Sequence, residues 1–546
     1  MGHAASARPG FGPDGPIYDR LAWAVLGLVA LAIALNFRDY GISWDEPVQN
    51  TYGKLSLNYY LTLGGDRSSF TYVNLYWYGA LFDTLAAAAN RISPFGEFDT
   101  RHLLNALVGV VGLAATWRLG RRLGGPRVGF VALLLLALTP VWYGNGFINP
   151  KDIPFAAAMT WASVFLVRIA RNLPQGRWRD FLGFGLAAGA AMGTRVGGAI
   201  ALAYLAATLA MYAVLALMDR RGVAAVVRSA TALVAPGIGA AAAALGVMYL
   251  FWPWAQHRPI AGPLESFESF SRFPITFDYP FYGRIVSSIA VPWYYEPGMM
   301  AVMLPELMIA GSLAAGALGL AGLVLRGPGR WARALPFLVL ALTAIFPPAY
   351  VALERAVLFD GMRHLLFVVP ALGVAAALAL DRLWRKGQAG SAAVIALLAA
   401  TTVNQAVLLY RSHPYQYLVF NAFTGGVPGA AGKFELDYWG LAFRAAAEAL
   451  AERAPPPGAR PWRVVVCGPE TSASLFFPPG FVLWSRQRVV EADFYISNTR
   501  YQCPLGTYVT TAPEMAAVSR FGTKLAHVYD LRGHNALTYM ANPAAP

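Results

Sequence analysis

The sequence predicts a polytopic α-helical membrane protein, a bundle of about eleven transmembrane helices followed by a small C-terminal α/β extracytoplasmic domain. Three observations carry this expectation. Apolar residues make up 57% of the 546 residues and charged residues only 13%, a balance too greasy for a soluble chain of this length. The apolar residues gather in successive stretches long enough to span a bilayer. Arginines recur in alternate loops, the signature of segments held on the cytoplasmic side.

Residues 1–20, opening with Gly, Ala and Pro, read as a disordered cytoplasmic tail, residues 21–410 as the membrane domain and 411–546 as the external domain. No cleavable signal peptide is evident. Crossings are expected at Leu21–Asn36, Leu103–Trp117, Val128–Tyr143, Pro154–Val167, Phe181–Thr194, Gly197–Leu217, Ser229–Trp252, Met300–Leu325, Leu335–Val351, Leu365–Leu380 and Ser391–Tyr410. The break at Thr194-Arg195-Val196-Gly197-Gly198 marks either a short re-entry or a kink. Arg118, Arg121, Arg122 and Arg127 share one loop with the side of the N-terminus. So do Arg168, Arg171, Arg177 and Arg179, then Arg220, Arg221 and Arg228, then Arg326, Arg330 and Arg333, then Arg382, Arg385 and Lys386. An odd number of crossings puts the C-terminal domain on the opposite side. The net charge of +14 is largely this asymmetry, so it speaks for topology and not for nucleic acid.

The first external segment, 38–101, is the longest before the last crossing and holds Ser43-Trp44-Asp45-Glu46-Pro47. Val48, Tyr52, Leu55, Tyr59 and Leu63 then recur at roughly helical spacing, an amphipathic helix on the bilayer surface. Two readings stand at Asp45 and Glu46: acids capping that helix, or a functional carboxylate pair at the mouth of the membrane. Tyr72–Ala89 reads as an interfacial helix, since counting it as a crossing would invert every later loop. The next external loop carries Asn149-Pro150-Lys151-Asp152-Ile153-Pro154, where Asp152 caps a helix and Lys151 snorkels, or both serve a site. The long loop 253–297 holds Trp293 and Glu296 among other aromatic residues, suited to an interfacial belt or a sugar platform. Arg363 and His364 open the tenth crossing, as interface anchors or as a cationic grip on phosphate.

Several of these stretches resemble a known group. Arg101 opening a helix that closes on Leu119-Gly120-Arg121-Arg122-Leu123-Gly124-Gly125, the acidic pair before it, and Gly185-Leu186-Ala187-Ala188-Gly189 running to Thr194-Arg195 are similar to the GT-C superfamily. These are polyprenyl-phosphate-sugar-dependent glycosyltransferases, including the lipid A aminoarabinose transferases and protein O-mannosyltransferases. The resemblance covers roughly the first 220 residues, with Arg195 where Lys is usual. It implies a GT-C-like fold in the bacterial inner membrane, with the N-terminus cytoplasmic. It also implies an inverting transfer of sugar from polyprenyl phosphate to a lipid, glycan or protein acceptor at the outer face. Under it Asp45 is the base, with Glu46 and Asp152 beside it. Lys151, Arg195, Arg363, His364, Glu296 and Trp293 are the substrate-binding candidates. No cofactor is required, although Asp45 and Asp152 are hard-oxygen ligands that suit Mg²⁺ or Mn²⁺. The alternatives are a lipid or solute transporter using the same acids as coupling sites, or a scaffold whose external domain binds a partner.

After Tyr410 the composition turns polar. Strands are expected at Trp462–Cys467, Phe481–Trp484, Asp493–Ser497 and Leu525–Tyr529, with a helix over Leu441–Arg453. Glu435 and Asp437 either cover the site or shape a turn. Cys467 and Cys503, the only cysteines, lie outside the cytoplasm, where pairing is permitted. No nucleophile elbow or zinc spacing appears.

Overall fold

A computed structural model describes residues 15–271, 276–324, 331–500, 509–510, 512–533 and 537–538. The tail expected at residues 1–20 falls mostly outside these. From Gly15 onward the chain is already helical, because α1 (Gly15–Asn36) begins six residues ahead of Leu21. Arg326, Arg330 and Cys503 also lie outside the described residues; among those described, no cysteine carries a free thiol.

The first external segment folds as α2 (Glu46–Leu61), two single 3₁₀ turns and α3 (Leu81–Asn90). Helix α2 buries Gln49, Asn50, Tyr52, Gly53 and Ser56, while Val48, Leu55 and Tyr59 are half-buried and Leu63, beyond the helix, is exposed. The expected helix is therefore present, with Tyr52 and Val48 of its apolar stripe packed inward and Gly53 abutting the backbone of Asp83 on α3 too closely for any Cβ. A buried ion pair, Arg101 to Asp83 at 2.6 Å, ties α3 to α4 (Glu97–Gly124). At ten residues α3 falls well short of a bilayer, since ~20 are needed, as the interfacial reading requires.

Next follow α5 (Pro126–Ala137), α6 (Pro140–Ile148), α7 (Asp152–Asn172), α8 (Trp178–Met192), α9 (Ile200–Met218) and α10 (Val223–Leu250). The external loop contributes α11 (Pro253–His257), α12 (Ala261–Ser271), the hairpin β1 (Asp278–Phe281) and β2 (Arg284–Ser287), and α13 (Tyr295–Met303). Then come α14 (Glu306–Val324), α15 (Leu335–Glu354), α16 (Val369–Trp384) and α17 (Gln388–Ser412). Among the described residues nine helices are long and apolar enough to cross a membrane, and α5 with α6, bent by 64° where Pro140 restarts the helix, makes a tenth. The eleventh expected crossing is α8, only 15 residues long. Two ion pairs show what it does: Arg168 of α7 meets Asp180 at 2.5 Å, and Asp152 at the other end of α7 meets Arg195 at 2.6 Å. The segment from Asp180 to Arg195 thus runs antiparallel along nearly all of α7 and traverses the same thickness. Small residues let it: a Cβ on Gly185 or Gly189 would fall 2.3 Å and 2.6 Å from the carbonyls of Ala240 and Ala244 on α10, the close backbone approach of membrane helix pairs.

Charges collect at the two ends of the bundle. One end pairs Arg121 with Asp19 and Arg127 with Asp381. The other gathers Asp45, Lys151, Asp152, Arg195 and Arg363 and receives the C-terminal domain.

That domain begins with the short α18 (Gly426–Ala430) and α19 (Ala442–Arg453), whose Phe443, Ala446, Ala447 and Leu450 are buried. Strand β3 (Trp462–Cys467) leads through the turn-length α20 (Glu470–Ser474) to β4 (Phe481–Leu483), β5 (Phe494–Asn498) and β6 (Val509–Thr510). Then β7 (Glu514–Arg520), absent from the sequence reading, precedes β8 (Thr523–Asp530), and β9 (Leu537–Thr538) pairs with β6. The five-stranded sheet has the order β4-β3-β5-β8-β7, with β3 parallel to β4 and β5 and the other pairings antiparallel. Every residue of the central β5 is buried. Thus the domain is α/β, as expected.

Candidate functional site

At the end of the bundle that faces the sheet domain, five separate stretches bring charge together. Asp152 opens α7, and both of its oxygens are engaged: Arg195 at 2.6 Å, Arg363 at 3.5 Å and the Asn149 amide at 2.8 Å. Arg363 also reaches Asp360 at 3.0 Å. Asp360 and Gly361 both take positive φ, at 61° and 70°, so the chain reverses sharply just before Arg363 and turns its guanidinium inward. Left-handed backbone at a non-glycine residue costs energy and persists where the surroundings impose it. Here two arginines do, because Arg500 meets Asp360 at 2.7 Å from the opposite side. Arg500 further binds Glu435 at 3.1 Å. A chain of alternating charge, buried through its middle and half-buried at its ends, therefore runs Glu435, Arg500, Asp360, Arg363, Asp152, Arg195.

Lys151 is buried beside this chain with its Nζ 3.6 Å from the ring centre of Tyr78. The indole of Trp439 lies 4.9 Å under Arg363 and donates to Asn145 at 3.2 Å. These aromatic faces solvate cations that water does not reach. Burial lowers the Lys151 pKa to about 8 and raises Tyr78 to about 12.

The adjacent acids part company. Glu46 is buried, accepts the backbone N–H of Ser43 at 2.8 Å and pairs with His102 at 3.0 Å, so it holds the loop. Asp45 is half-buried, caps nothing, and accepts no side-chain hydrogen bond or ion pair among the described residues. Burial raises its pKa, against the pull of Arg363 and Lys151. It is an acid kept proton-hungry and open. The loop carrying it is seated on the sheet domain, with the Trp44 N–H donating to the Trp439 carbonyl at 3.2 Å.

Glu296 lies within the electrostatic range of Asp152; it is 1% exposed, neither of its oxygens is hydrogen-bonded among the described residues, and burial pushes it up to about 8. His364 packs edge-on to Phe359 at 5.1 Å, with Nδ1 unpartnered among the described residues. Trp293 stands apart, 67% exposed against Tyr294. Asp437 is structural: its oxygens accept the N–H groups of Leu441 and Ala442 at 2.9 and 3.2 Å, fastening the start of α19. Glu435 belongs to the charged chain and is pushed up to about 7 by burial, Arg500 opposing. Among the described residues no three His, Cys, Asp or Glu side chains gather as a metal requires. The oxygens of Asp152, taken by two guanidinium groups and an amide, leave no ready place for a divalent ion between it and Asp45.

Sequence reasoning passed over Tyr78, Asp360, Trp439 and Arg500. Asp360 sits three residues before Arg363, a spacing visible in the sequence. Nothing local marks Arg500, which reaches the site only through the order of the strands.

Nε of Arg195, Nε of Arg363 and Nδ1 of His364 are buried without a hydrogen-bond partner among the described residues. Buried polar atoms are normally satisfied, so these nitrogens, beside the buried Lys151, mark this end of the bundle as the candidate site. Residues 81–252 match the family model described as dolichyl-phosphate-mannose-protein mannosyltransferase. The resemblance to GT-C transferases thus holds over a segment that includes Lys151, Asp152 and Arg195. No curated protein matches the chain in sequence. Among solved structures, the chain is similar to ArnT from Cupriavidus metallidurans bound to undecaprenyl phosphate, with 16% identity, TM-score 0.49, and coverage of 94% of this chain and 97% of that one. It is also similar to the oligosaccharyltransferase AglB from Archaeoglobus fulgidus in complex with an inhibitory peptide and a dolichol-phosphate, with 14% identity, TM-score 0.48, and coverage of 96% and 75%.

Proposed function

We propose that this protein is an inverting glycosyltransferase that moves a sugar from a polyprenyl-phosphate donor to an acceptor hydroxyl or amine at the outer face of a bacterial inner membrane. The observation that carries the reading is the pairing of one open carboxylate, Asp45, with the unsatisfied nitrogens of Arg195 and Arg363. A single displacement needs those two things: a base for the acceptor proton and fixed positive charge for the departing phosphate.

In this mechanism Asp45 takes the proton from the acceptor as its oxygen or nitrogen bonds to the anomeric carbon. The bond from that carbon to the phosphate oxygen breaks, and its electron pair leaves on polyprenyl phosphate. Lys151, Arg195 and Arg363 receive the developing charge, with His364 beside them. Asp152 holds the two guanidinium groups apart and in register, so it is a positioning residue, as is Glu46 through the loop it anchors. Attack opposite the leaving group inverts the anomeric centre. The orientation follows from the arginine-rich end being cytoplasmic, which puts the site and the sheet domain outside.

The test is turnover by the purified protein in nanodiscs, supplied with a panel of synthetic polyprenyl-phosphate pentoses, hexoses and aminosugars and with hydroxyl-bearing and amine-bearing acceptors. Release of polyprenyl phosphate with an inverted product supports the reading. Tight donor binding without release from any member of the panel, or proton flux in liposomes driven by solute, overturns it.

A further inference from the structure

At the arginine-rich end of the bundle, away from the charged site, a groove of about 480 Å³ opens between α5, α16 and α17. Phe130 and Leu134 of α5, Ala377 and Leu380 of α16, and Leu398 and Val403 of α17 line it, and Tyr18, Arg127, Asp381 and Trp384 stand at its mouth. We propose that this groove holds one acyl chain of an acidic phospholipid, whose headgroup sits on the arginines at the mouth.

The groove exists because α17 leans on the bundle at separated points. Of its residues only Gly390, Val394, Gln405 and Ser412 are buried. Gly390 abuts the backbone carbonyl of Leu383 too closely for any Cβ, which fastens the start of α17 to the end of α16. From Ile395 to Asn404 no residue is buried, so the helix stands off there, with Val394, Leu398 and Thr402 recurring at helical spacing along the wall. The depth fits a single leaflet. Arg127 to Leu134 covers about 10 Å of α5 and Val394 to Val403 about 13 Å of α17, against about 15 Å for half of the hydrocarbon core. Tyr18 and Trp384 at the mouth are residue types that favour the headgroup level. The groove therefore starts at the interface and ends near the bilayer midplane, the reach of a lipid chain and too short for a crossing helix.

The walls choose the chain and the mouth chooses the headgroup. Water gains nothing from a lining this apolar, whereas a hydrocarbon chain makes dispersion contacts all along it. At the mouth Asp381 is met by two guanidinium groups, Arg127 at 2.5 Å and Arg385 at 2.6 Å. One carboxylate cannot balance both, and Asp19, at the same end of the bundle, is already held by Arg121 at 2.9 Å. A positive charge is left over, and the Arg385 side chain that carries it is 65% exposed. Arg127 is steadied by the Trp384 ring, whose centre lies 4.8 Å away. A phosphodiester takes a guanidinium in bidentate fashion, while a zwitterionic headgroup brings its own cation to the same place. The groove therefore selects a lipid of net negative charge, and nothing in this depends on the transfer reaction proposed above.

The experiment releases the full chain from nanodiscs of equal parts phosphatidylglycerol and phosphatidylcholine into native mass spectrometry and reads the lipid that stays bound. A retained phospholipid is expected, with phosphatidylglycerol favoured by roughly fivefold, the pull of a single arginine on an anionic headgroup. Leu398→Trp fills the groove and is expected to abolish retention of either lipid. Ala399→Leu is the second groove variant, should Leu398→Trp fold poorly. Arg385→Ala leaves the pair of Arg127 with Asp381 in place, and is expected to keep the lipid while removing the preference. Equal retention of the two lipids by the parent, no retained lipid, or retention unchanged in both groove variants, which would mark an annular lipid only, overturns the proposal. So does a lipid-free dimer that Leu398→Trp splits, which would mark the groove as the seat of a second copy.

Discussion

Replacing Asp45 with Asn separates catalysis from structure cleanly, because of how little holds the native side chain. Its carboxylate accepts no side-chain hydrogen bond or ion pair among the described residues, and it does not cap α2. The amide therefore removes no native bond. Burial has already raised the Asp45 pKa, which gives the sign of the effect on stability. Between its unfolded and folded pKa values the native state holds more protons than the unfolded state, so ionising Asp45 lowers stability as pH rises. An uncharged Asn is relieved of that cost, and the variant is expected to melt no lower than the parent at neutral pH. Its turnover is a different matter. Loss of a general base slows transfer by roughly 10² to 10⁴, about 3 to 5 kcal/mol of barrier at the usual conversion. The assay is release of polyprenyl phosphate in nanodiscs, with the melting temperature measured on the same samples. Donor affinity should hold or improve, since a negative charge near the phosphate has gone. Near-normal turnover in Asp45→Asn would refute the assignment of the base. A melting temperature lowered by several degrees would refute the claim that the side chain is structurally idle.

Arg363 reaches Asp152 and Asp360 through different nitrogens, a span that a lysine cannot make. Arg363→Lys is therefore expected to weaken donor binding by roughly tenfold or more, and equal affinity would remove Arg363 from the phosphate site. Lys151, lowered to about 8 by burial, loses its charge as pH rises through that value. Donor affinity should fall between about pH 7 and 9, by at most about tenfold per unit. Lys151→Arg, charged throughout, should flatten the profile, and a profile unchanged by the substitution would show that another group titrates. Glu46→Gln weakens the pair with His102 and the bond from Ser43, and is expected to cost about 1–3 kcal/mol. An unaltered melting temperature would show that the loop does not depend on Glu46.

The crossings were legible because length and hydropathy are local properties, and so was the alternation that set the two ends of the bundle. The difficulty came with α8, whose 15 residues are short for a span on length alone; the pairs at both of its ends decide the matter. The packing of Gly53 on α2 against the backbone of Asp83 had no local sign, since periodicity names the apolar stripe but not its partner. Asp45 and Glu46 show the same boundary at one residue's scale. Adjacent residues entering a helix point about 100° apart, so the two acids meet different partners, and Glu46 is the one that meets Ser43 and His102. The segments carrying Lys151, Asp152 and Arg363 stood out because charge at the end of an apolar run is costly and therefore conspicuous. Arg500 did not, because a polar domain has many arginines and the sequence ranks none of them.

Arg500 also gives the protein a clock. A chain made from its N-terminus lays down α1 through α17 before Arg500, two residues past the end of β5, exists. Throughout that interval Asp360 has one arginine where the finished protein has two, and its left-handed turn lacks its second clamp. The membrane portion is complete in length while its charged site is still half assembled. The folding of the sheet domain then brings Arg500 to Asp360 and gives the turn that carries Arg363 its second clamp.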